Sequence, residues 1–136
     1  MVRPLVFSIA LAIALGTVAC SSAQMVPMVS GPQTPAAMGT VTFKPTENGN
    51  LEVSVSVRHL AYPERVAPGA VAYVVWIQPH GGAPQNVGAL VVRDDLTGQL
   101  TTVTPHQAFE LYITAENDPA ASAPRGPRVL TSVISQ

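Results

Sequence analysis

The segment Leu51–Arg58 constrains the fold most strongly, because apolar and polar side chains alternate along it without exception. Side chains at every second position share one face of a strand, so this period predicts a β-strand with one face in a core and the other in water. The polar face disfavours a lipid-embedded barrel, whose outer face is apolar. A second alternating segment, Gly39–Pro45, precedes it, and the intervening Asn48–Gly49 pair predicts a β-hairpin.

The longest apolar run beyond the first twenty residues is Val71–Pro79, which contains the only tryptophan, Trp76. A short, β-branched run without alternation predicts a strand that is covered on both faces, either by the domain itself or by a partner. Trp76 is interpreted as part of the packed core between the sheets. The alternative interpretation is a sugar-stacking platform that Trp76 shares with Tyr73 or Tyr112.

Four further segments have the composition of strands bounded by turns. They are residues 87–92, 99–104, 109–115 and 128–134. With the three segments above they make seven strands at a spacing typical of a β-sandwich. Among the seven, proline occurs only as the last residue of Gly39–Pro45 and of Val71–Pro79, as expected for strands whose interior needs every backbone N–H donor. We therefore predict an all-β, antiparallel β-sandwich over residues 39–136, without a helix.

Composition limits both the size of the protein and its partners. A chain of 136 residues has room for one domain. Seven basic and eight acidic residues leave a net charge of -1, so a basic patch for nucleic acid or an anionic bilayer is not expected. The 13 prolines and 10 glycines, against only 11% charged residues, favour short strands joined by rigid turns.

The first nineteen residues have the order of a secretory signal peptide. Arg3 supplies a positive charge, residues 5–16 are apolar apart from one serine, and small residues follow up to Ala19. The apolar stretch is short for a membrane-spanning helix. We predict a signal-peptide helix over residues 1–19, and therefore export.

Cys20 is the only cysteine, so an intramolecular disulfide is excluded. With Ala19 before it and small residues after it, Cys20 resembles the lipid-modified cysteine of bacterial lipoproteins, although Thr17 stands where that family favours leucine. The resemblance implies acylation of Cys20 and an anchor on the periplasmic or outer side of a bacterial membrane, which two acyl chains make stable. The alternative is cleavage after Ala23, which would release a soluble protein.

Residues 20–38 contain three prolines and no charged residue, and we predict that they form a flexible tether. Met25 and Met28 lie three positions apart in this segment, and Met38 ends it. Thioethers are the soft ligands that Cu(I) prefers, so a periplasmic copper-binding protein is the alternative function. The simpler interpretation is that these methionines are ordinary apolar residues without a metal-binding role.

Four short motifs resemble a known extracytoplasmic domain. They are Tyr73–Ile77, Gly88, Phe109–Glu116 and Pro124–Val129. Together they are similar to the C-terminal domain of anti-sigma-K-type anti-sigma factors, over about 60 residues. The resemblance implies an immunoglobulin-like sandwich used outside the cytoplasm. The sigma-binding part of that family has no counterpart in this sequence, so regulation of a sigma factor is not implied.

Catalytic patterns are sparse. His59, His80 and His106 lie far apart and have none of the spacings of a zinc site. The sequence His80-Gly81-Gly82 resembles the oxyanion turn of some esterases, but no Gly-x-Ser-x-Gly motif supplies a nucleophile. A small extracytoplasmic hydrolase is therefore only the second alternative.

We predict an exported, lipid-anchored and non-enzymatic module that binds a partner or serves as part of the cell envelope. It is expected to use no cofactor and no nucleic acid, and to contact the bacterial membrane through its lipid. The partner is a protein or a glycan. The candidate binding surface comprises Tyr73, Trp76, Tyr112 and Glu116.

Overall fold

The computed structural model describes Gly16 and residues 22–136, and within them the chain forms eight antiparallel strands and one helical turn. The elements are β1 (Gln24–Ser30), β2 (Met38–Pro45), β3 (Leu51–Arg58), α1 (Pro63–Val66), β4 (Ala72–Pro79), β5 (Gln85–Leu90), β6 (Gly98–Thr104), β7 (Ala108–Glu116) and β8 (Arg128–Ser135). The all-β prediction is confirmed, and the seven predicted strands correspond to β2–β8. The turn α1, which begins at a proline, was not predicted.

Strand β1 corrects the predicted tether over residues 20–38. Residues 24–28 pair with β2, and Val29 and Ser30 pair with β8. Met28 is only 8% exposed because it points into the core, where the partly buried Val26 also packs. The prolines suggested disorder, but this apolar segment alternates well enough to add a strand. Residues 1–15 and 17–21 lie outside the described residues, so neither the signal-peptide prediction over 1–19 nor the predicted lipid on Cys20 is addressed by the structure.

The strands form one sheet in the order β5-β4-β7-β8-β1-β2-β3-β6. This sheet curls into a nearly closed barrel, which corrects the predicted seven-stranded, immunoglobulin-like sandwich. The two edge strands approach each other, since a Cβ on Gly88 of β5 would lie 3.0 Å from Leu100 Cδ1 of β6. The missed β1 explains the difference, because it joins β2 and β8 into one continuous sheet.

Strand β1 also marks where the barrel is weakly joined. Its ladder with β8 covers only Val29 and Ser30, and Pro27 lies two positions before it. Proline has no N–H donor, so it cannot extend such a ladder in the usual way. The Ser132 hydroxyl instead donates to the Pro27 carbonyl oxygen at 3.3 Å. Pro27 is thus tolerated inside a strand at the join between two halves of the sheet.

Apolar residues of β2 and β3, at the alternating positions that their sequence pattern predicted, fill part of the interior. Val41 and Phe43 of β2 are at most 2% exposed, and the four apolar residues of β3 are fully buried. The inward residues of β4 and β7 complete the core; they are Tyr73, Val75, Ile77, Phe109, Leu111 and Ile113. The β2–β3 hairpin around Gly49 is confirmed as well.

Strand β4 is covered on both faces, as its apolar run predicted. One face lies in the barrel interior, but Val74 and Trp76 lie on the outer face, where they pack with Tyr112 of β7 and Ala121. Trp76 is thus buried by packing, as predicted, but in this outer cluster and not in the main core. A loop of the domain itself, residues 117–127, provides the second cover. In the part of the chain that is described, no helix has the length and hydrophobicity to cross a membrane.

We predict that Gly88→Ala destabilises the protein by about 1–3 kcal/mol, the usual cost of a strained backbone or an overpacked contact. Gly88 has a φ of 141°, which alanine adopts poorly, and the added Cβ would press on Leu100. Urea unfolding measures the loss. Gly82→Ala is the matched control; its Cβ would meet only the Pro79 side chain at 3.4 Å, so a change within about 0.5 kcal/mol is expected.

Adding Leu100→Ala to Gly88→Ala separates the two causes. The side-chain contact disappears in the double variant, so its destabilisation should be smaller than the sum of the two single losses. An unchanged stability of Gly88→Ala would contradict the close approach of β5 and β6.

Candidate functional site

Three of the predicted binding residues lie together beneath the loop of residues 117–127. Trp76 and Tyr112 are fully buried there, and Glu116 is 2% exposed. They come from the outer faces of β4 and β7, which are adjacent strands with Trp76 directly opposite Tyr112. The structure therefore brings these residues together, but it covers them.

A chain of hydrogen bonds ties that loop to the sheet. The Trp76 indole N–H donates to Thr114 Oγ1 at 2.8 Å, and the Thr114 hydroxyl donates to Glu116 Oε1 at 2.6 Å. The same carboxylate oxygen accepts the backbone N–H groups of Arg125 and Gly126 at 3.0 and 3.1 Å. Because these polar groups are mutually satisfied, their burial is stable, and the network fixes the end of the loop.

Gly126 shows how closely the loop approaches β7. A Cβ at this position would lie 1.6 Å from the Ala115 carbonyl oxygen, so no other residue fits without moving the backbone. The sequence motif Pro124–Val129 is thus explained by packing. It allows the backbone N–H groups to reach the Glu116 carboxylate.

Tyr112 is held both at its hydroxyl and at its ring. Its hydroxyl donates to Gln78 Oε1 at 3.1 Å, and the Arg128 guanidinium lies 3.7 Å from the ring centroid, a cation–π arrangement. Arg128 also pairs with the Glu110 carboxylate. Burial raises the pKa of Tyr112, and the positive charge of Arg128 opposes that rise. The side chain is therefore engaged in packing rather than available to a ligand.

Tyr73 lies on the opposite face of β4, inside the barrel. Its ring is fully buried, and its hydroxyl donates to the Ala61 carbonyl oxygen at 2.6 Å. Burial, assisted by the negative charge of Glu64, raises the pKa of Tyr73 well above its ordinary value. Tyr73, Trp76, Tyr112 and Glu116 therefore do not form an exposed binding surface in this structure; each stabilises the fold.

The methionines of the copper hypothesis, Met25, Met28 and Met38, border one groove between β1 and β2, but Met25 and Met28 do not lie on the same face of β1. Met25 and Met28 are three residues apart on a strand, and an odd separation places side chains on opposite faces. Met25 is 71% exposed whereas Met28 is 8% exposed. Met25 and Met28 are therefore not arranged as a pair of ligands for one ion in this structure. Among the described residues, no group of three His, Cys, Asp or Glu side chains is close enough to hold a metal.

An apolar cleft offers a more accessible site, and we call it the valine cleft. It has a volume of about 360 Å³. It is lined by Tyr62, Pro63, Glu64, Val71, Ala72, Tyr73, Ala89, Leu90, Val91, Val92 and Pro119. Val71 and Val91 are 64% and 74% exposed, although valine is usually buried. Concave, largely apolar surfaces of this size are typical of ligand sites.

The walls of the valine cleft are held by polar contacts. The Asn86 side-chain amide donates to the carbonyl oxygens of Pro119 and Ala121 at 3.1 and 2.9 Å, which fixes the loop against β5. On the other wall, the Tyr62 hydroxyl donates to Asp94 Oδ1 at 3.3 Å. The cleft is therefore preformed. The sequence does not reveal this cleft, because single valines next to the ends of β4 and β5 carry no motif.

Comparisons with known proteins bear on the fold alone. No protein-family model matches the sequence, and a search of curated proteins finds no match. The structure is similar to a crystal structure of the clock protein EA4, with a TM-score of 0.54 and 12% sequence identity, over 85% of this chain and 94% of that one. At this identity the likeness supports a similar fold and says nothing about function.

We predict that Thr114→Val lowers the free energy of unfolding by about 1–3 kcal/mol, because it leaves the buried Trp76 N–H without an acceptor. The loop should also loosen, so tryptic cleavage after Arg125 should become faster. Thr101→Val is the matched control, since Thr101 is exposed and bonds only Ser54 across the strand at 2.9 Å. Equal effects of the two variants on stability and cleavage would contradict the role of the network.

We also predict a loss of stability above pH 10 that depends on Tyr73. Its pKa is raised in the folded state, so the folded protein holds this proton more tightly than the unfolded chain. The resulting stabilisation is complete below the ordinary tyrosine pKa of about 10 and is lost as the pH rises beyond it. Urea unfolding at several pH values should show a shallower decline in Tyr73→Phe. Tyr62→Phe, at a more exposed position, is the control and should keep most of the decline. If stability declines as steeply in Tyr73→Phe as in the parent, Tyr73 is not the cause of the loss above pH 10.

Proposed function

We propose that the protein is a non-catalytic binding module of the bacterial cell envelope, held at the membrane by a lipid on Cys20. The valine cleft is its site for an apolar part of a partner. The observation that carries this proposal is the position of the cleft. It lies beside β5, and β5 is four strands from β1 in either direction around the nearly closed barrel.

This position suits a tethered receptor. The described chain enters the domain at β1, close behind Cys20, so a lipid on Cys20 would hold the β1 side near the membrane. The valine cleft is then directed away from the bilayer, where a partner can reach it. The resemblance to the extracytoplasmic domain of anti-sigma-K-type factors supports the same side of the membrane.

The lining of the valine cleft indicates the chemistry of its ligand. Val71 and Val91 offer apolar surface, while Glu64 and Asp94 provide negative charge near the rim. An apolar side chain of a protein partner, flanked by basic residues, satisfies both features. A glycan is less well suited, because the rings of the sugar-stacking alternative, Tyr73, Trp76 and Tyr112, are buried.

The copper and hydrolase alternatives gain no support from the geometry. Met25 and Met28 face opposite sides of β1, as described above. His80 is exposed in the turn after β4, where Gly82 N donates to the Pro79 carbonyl oxygen at 2.9 Å. That turn is closed on itself rather than arranged around a substrate.

Two measurements test the proposal: the intact mass of the mature protein tests the anchor, and cross-linked capture of a partner tests the valine cleft. An N-terminal Cys20 carrying acyl chains is expected; an unmodified N-terminus at Gln24 would refute the anchor. In envelopes, a cross-linked partner should be captured by the parent but roughly tenfold less by Val71→Ser/Val91→Ser, since losing two apolar contacts costs on the order of 1–2 kcal/mol.

Val103→Ser is the matched control for capture. Val103 is 54% exposed on the outer face of β6 and is not part of the valine cleft. Its substitution should leave capture at the parental level. Equal capture by the control and the double variant would exclude the valine cleft as the binding site.

A further inference from the structure

A second exposed apolar surface lies on the outer face around β1, and we call it the β1 patch. It consists of Met25, Pro27, Val29, Met38 and Val133. Met25, Val29 and Val133 are each at least 71% exposed, and Met38 is 53% exposed. None of the five carries a charge. Such a set differs from the outer face of β3, where Ser54 and Ser56 lie between Glu52 and Arg58.

Strand register makes the β1 patch contiguous. Pro27 lies directly opposite Thr40, and Met28 lies opposite Gly39, so Val29 and Met38 are neighbours across β1 and β2. On the other side, Val29 pairs with Thr131, which brings Pro27 beside Val133 two residues further along. The patch therefore spans three adjacent strands, and its β1–β2 part borders a groove of about 410 Å³.

The charges around the β1 patch do not oppose a membrane. Glu110 lies opposite Val133 in the ladder, but its carboxylate is paired with Arg128. Arg58 lies opposite Met38, is exposed and lines the same groove. Its cationic group suits the phosphate of a lipid headgroup, while its methylenes extend the apolar surface.

The chain length before the patch limits where an anchored domain can sit. Met25 is five residues from Cys20, which spans at most about 17 Å when fully extended. A polar headgroup region is several ångströms deep. A lipid on Cys20 would therefore keep the β1 patch within reach of the bilayer surface, at an effective concentration high enough for weak contacts to be populated.

From these observations we infer that the β1 patch docks on the lipid surface, so that the domain lies against the bilayer rather than swinging free. The inference rests on the proposed anchor at Cys20. Val29 and Val133 enter the interface between headgroups and acyl chains, and Arg58 contacts phosphate. A second copy of the chain is a poorer occupant, because five side chains fall well short of the roughly 20–30 residues that a standard protein interface uses on each side.

The test uses tryptophan as a depth probe. Val133→Trp is introduced into the chain that begins at Cys20, and the thiol of this only cysteine is coupled to a maleimide lipid in vesicles of phosphatidylethanolamine and phosphatidylglycerol with brominated acyl chains. Bromine quenches tryptophan only at close range. We expect roughly half of the added fluorescence to be lost, as for a side chain that reaches the acyl boundary.

Val91→Trp is the matched control. Val91 is 74% exposed against 71% for Val133, but it follows β5 on the far side of the barrel. It should show no quenching, and the buried Trp76 contributes the same background to both variants. Adding Val29→Gln to Val133→Trp should reduce the quenching, which links it to the patch rather than to the new indole.

Equal quenching at positions 133 and 91, or none at either, would overturn docking by the β1 patch. Sedimentation of the uncoupled protein as a dimer, with Val133→Trp unquenched on vesicles, would overturn it in favour of a second copy. Because chemical coupling replaces enzymatic acylation, these outcomes are independent of the mass of the mature protein. Failure of the anchor and failure of docking are therefore distinguishable.

Discussion

The hydrogen bonding of β1 on both of its edges is the constraint on which the rest of the structure depends. Residues 24–28 pair with β2, while Val29 and Ser30 pair with β8. Without this strand, the β2–β3–β6 and β5–β4–β7–β8 groups would be separate sheets with two further open edges. The barrel closes because the strand joins them, and its side chains Val26 and Met28 help to seal the interior.

The second constraint is the buried network beneath the loop of residues 117–127. It explains how β4 can carry apolar side chains on the outer face of the barrel, because the loop covers them. Trp76 needs a cover for its ring and an acceptor for its N–H, and the loop and Thr114 provide them. Trp76, Tyr112 and Glu116, whose residue types are common at recognition surfaces, instead hold a loop in this protein.

These two constraints place different surface features on opposite sides of the barrel. The β1 side carries the entering chain and the β1 patch, and the opposite side carries the valine cleft, whose wall is the same loop that covers Trp76. Under the proposed anchoring at Cys20, the domain would need no moving part to present the valine cleft away from the membrane. Its orientation would follow from where the chain enters the barrel and from which outer faces are apolar.

The sequence by itself determined the all-β class, seven of the eight strands and the inward faces of β2 and β3, because a period of two is a local property of the chain. The prolines before Met38 obscured β1, whose pairing with β8 joins residues about one hundred positions apart. Only the tertiary structure decided that Trp76, Tyr112 and Glu116 are covered and that Val71 and Val91 are not. Exposure depends on what packs above a residue, and here the covering loop is placed by long-range contacts that no local pattern records.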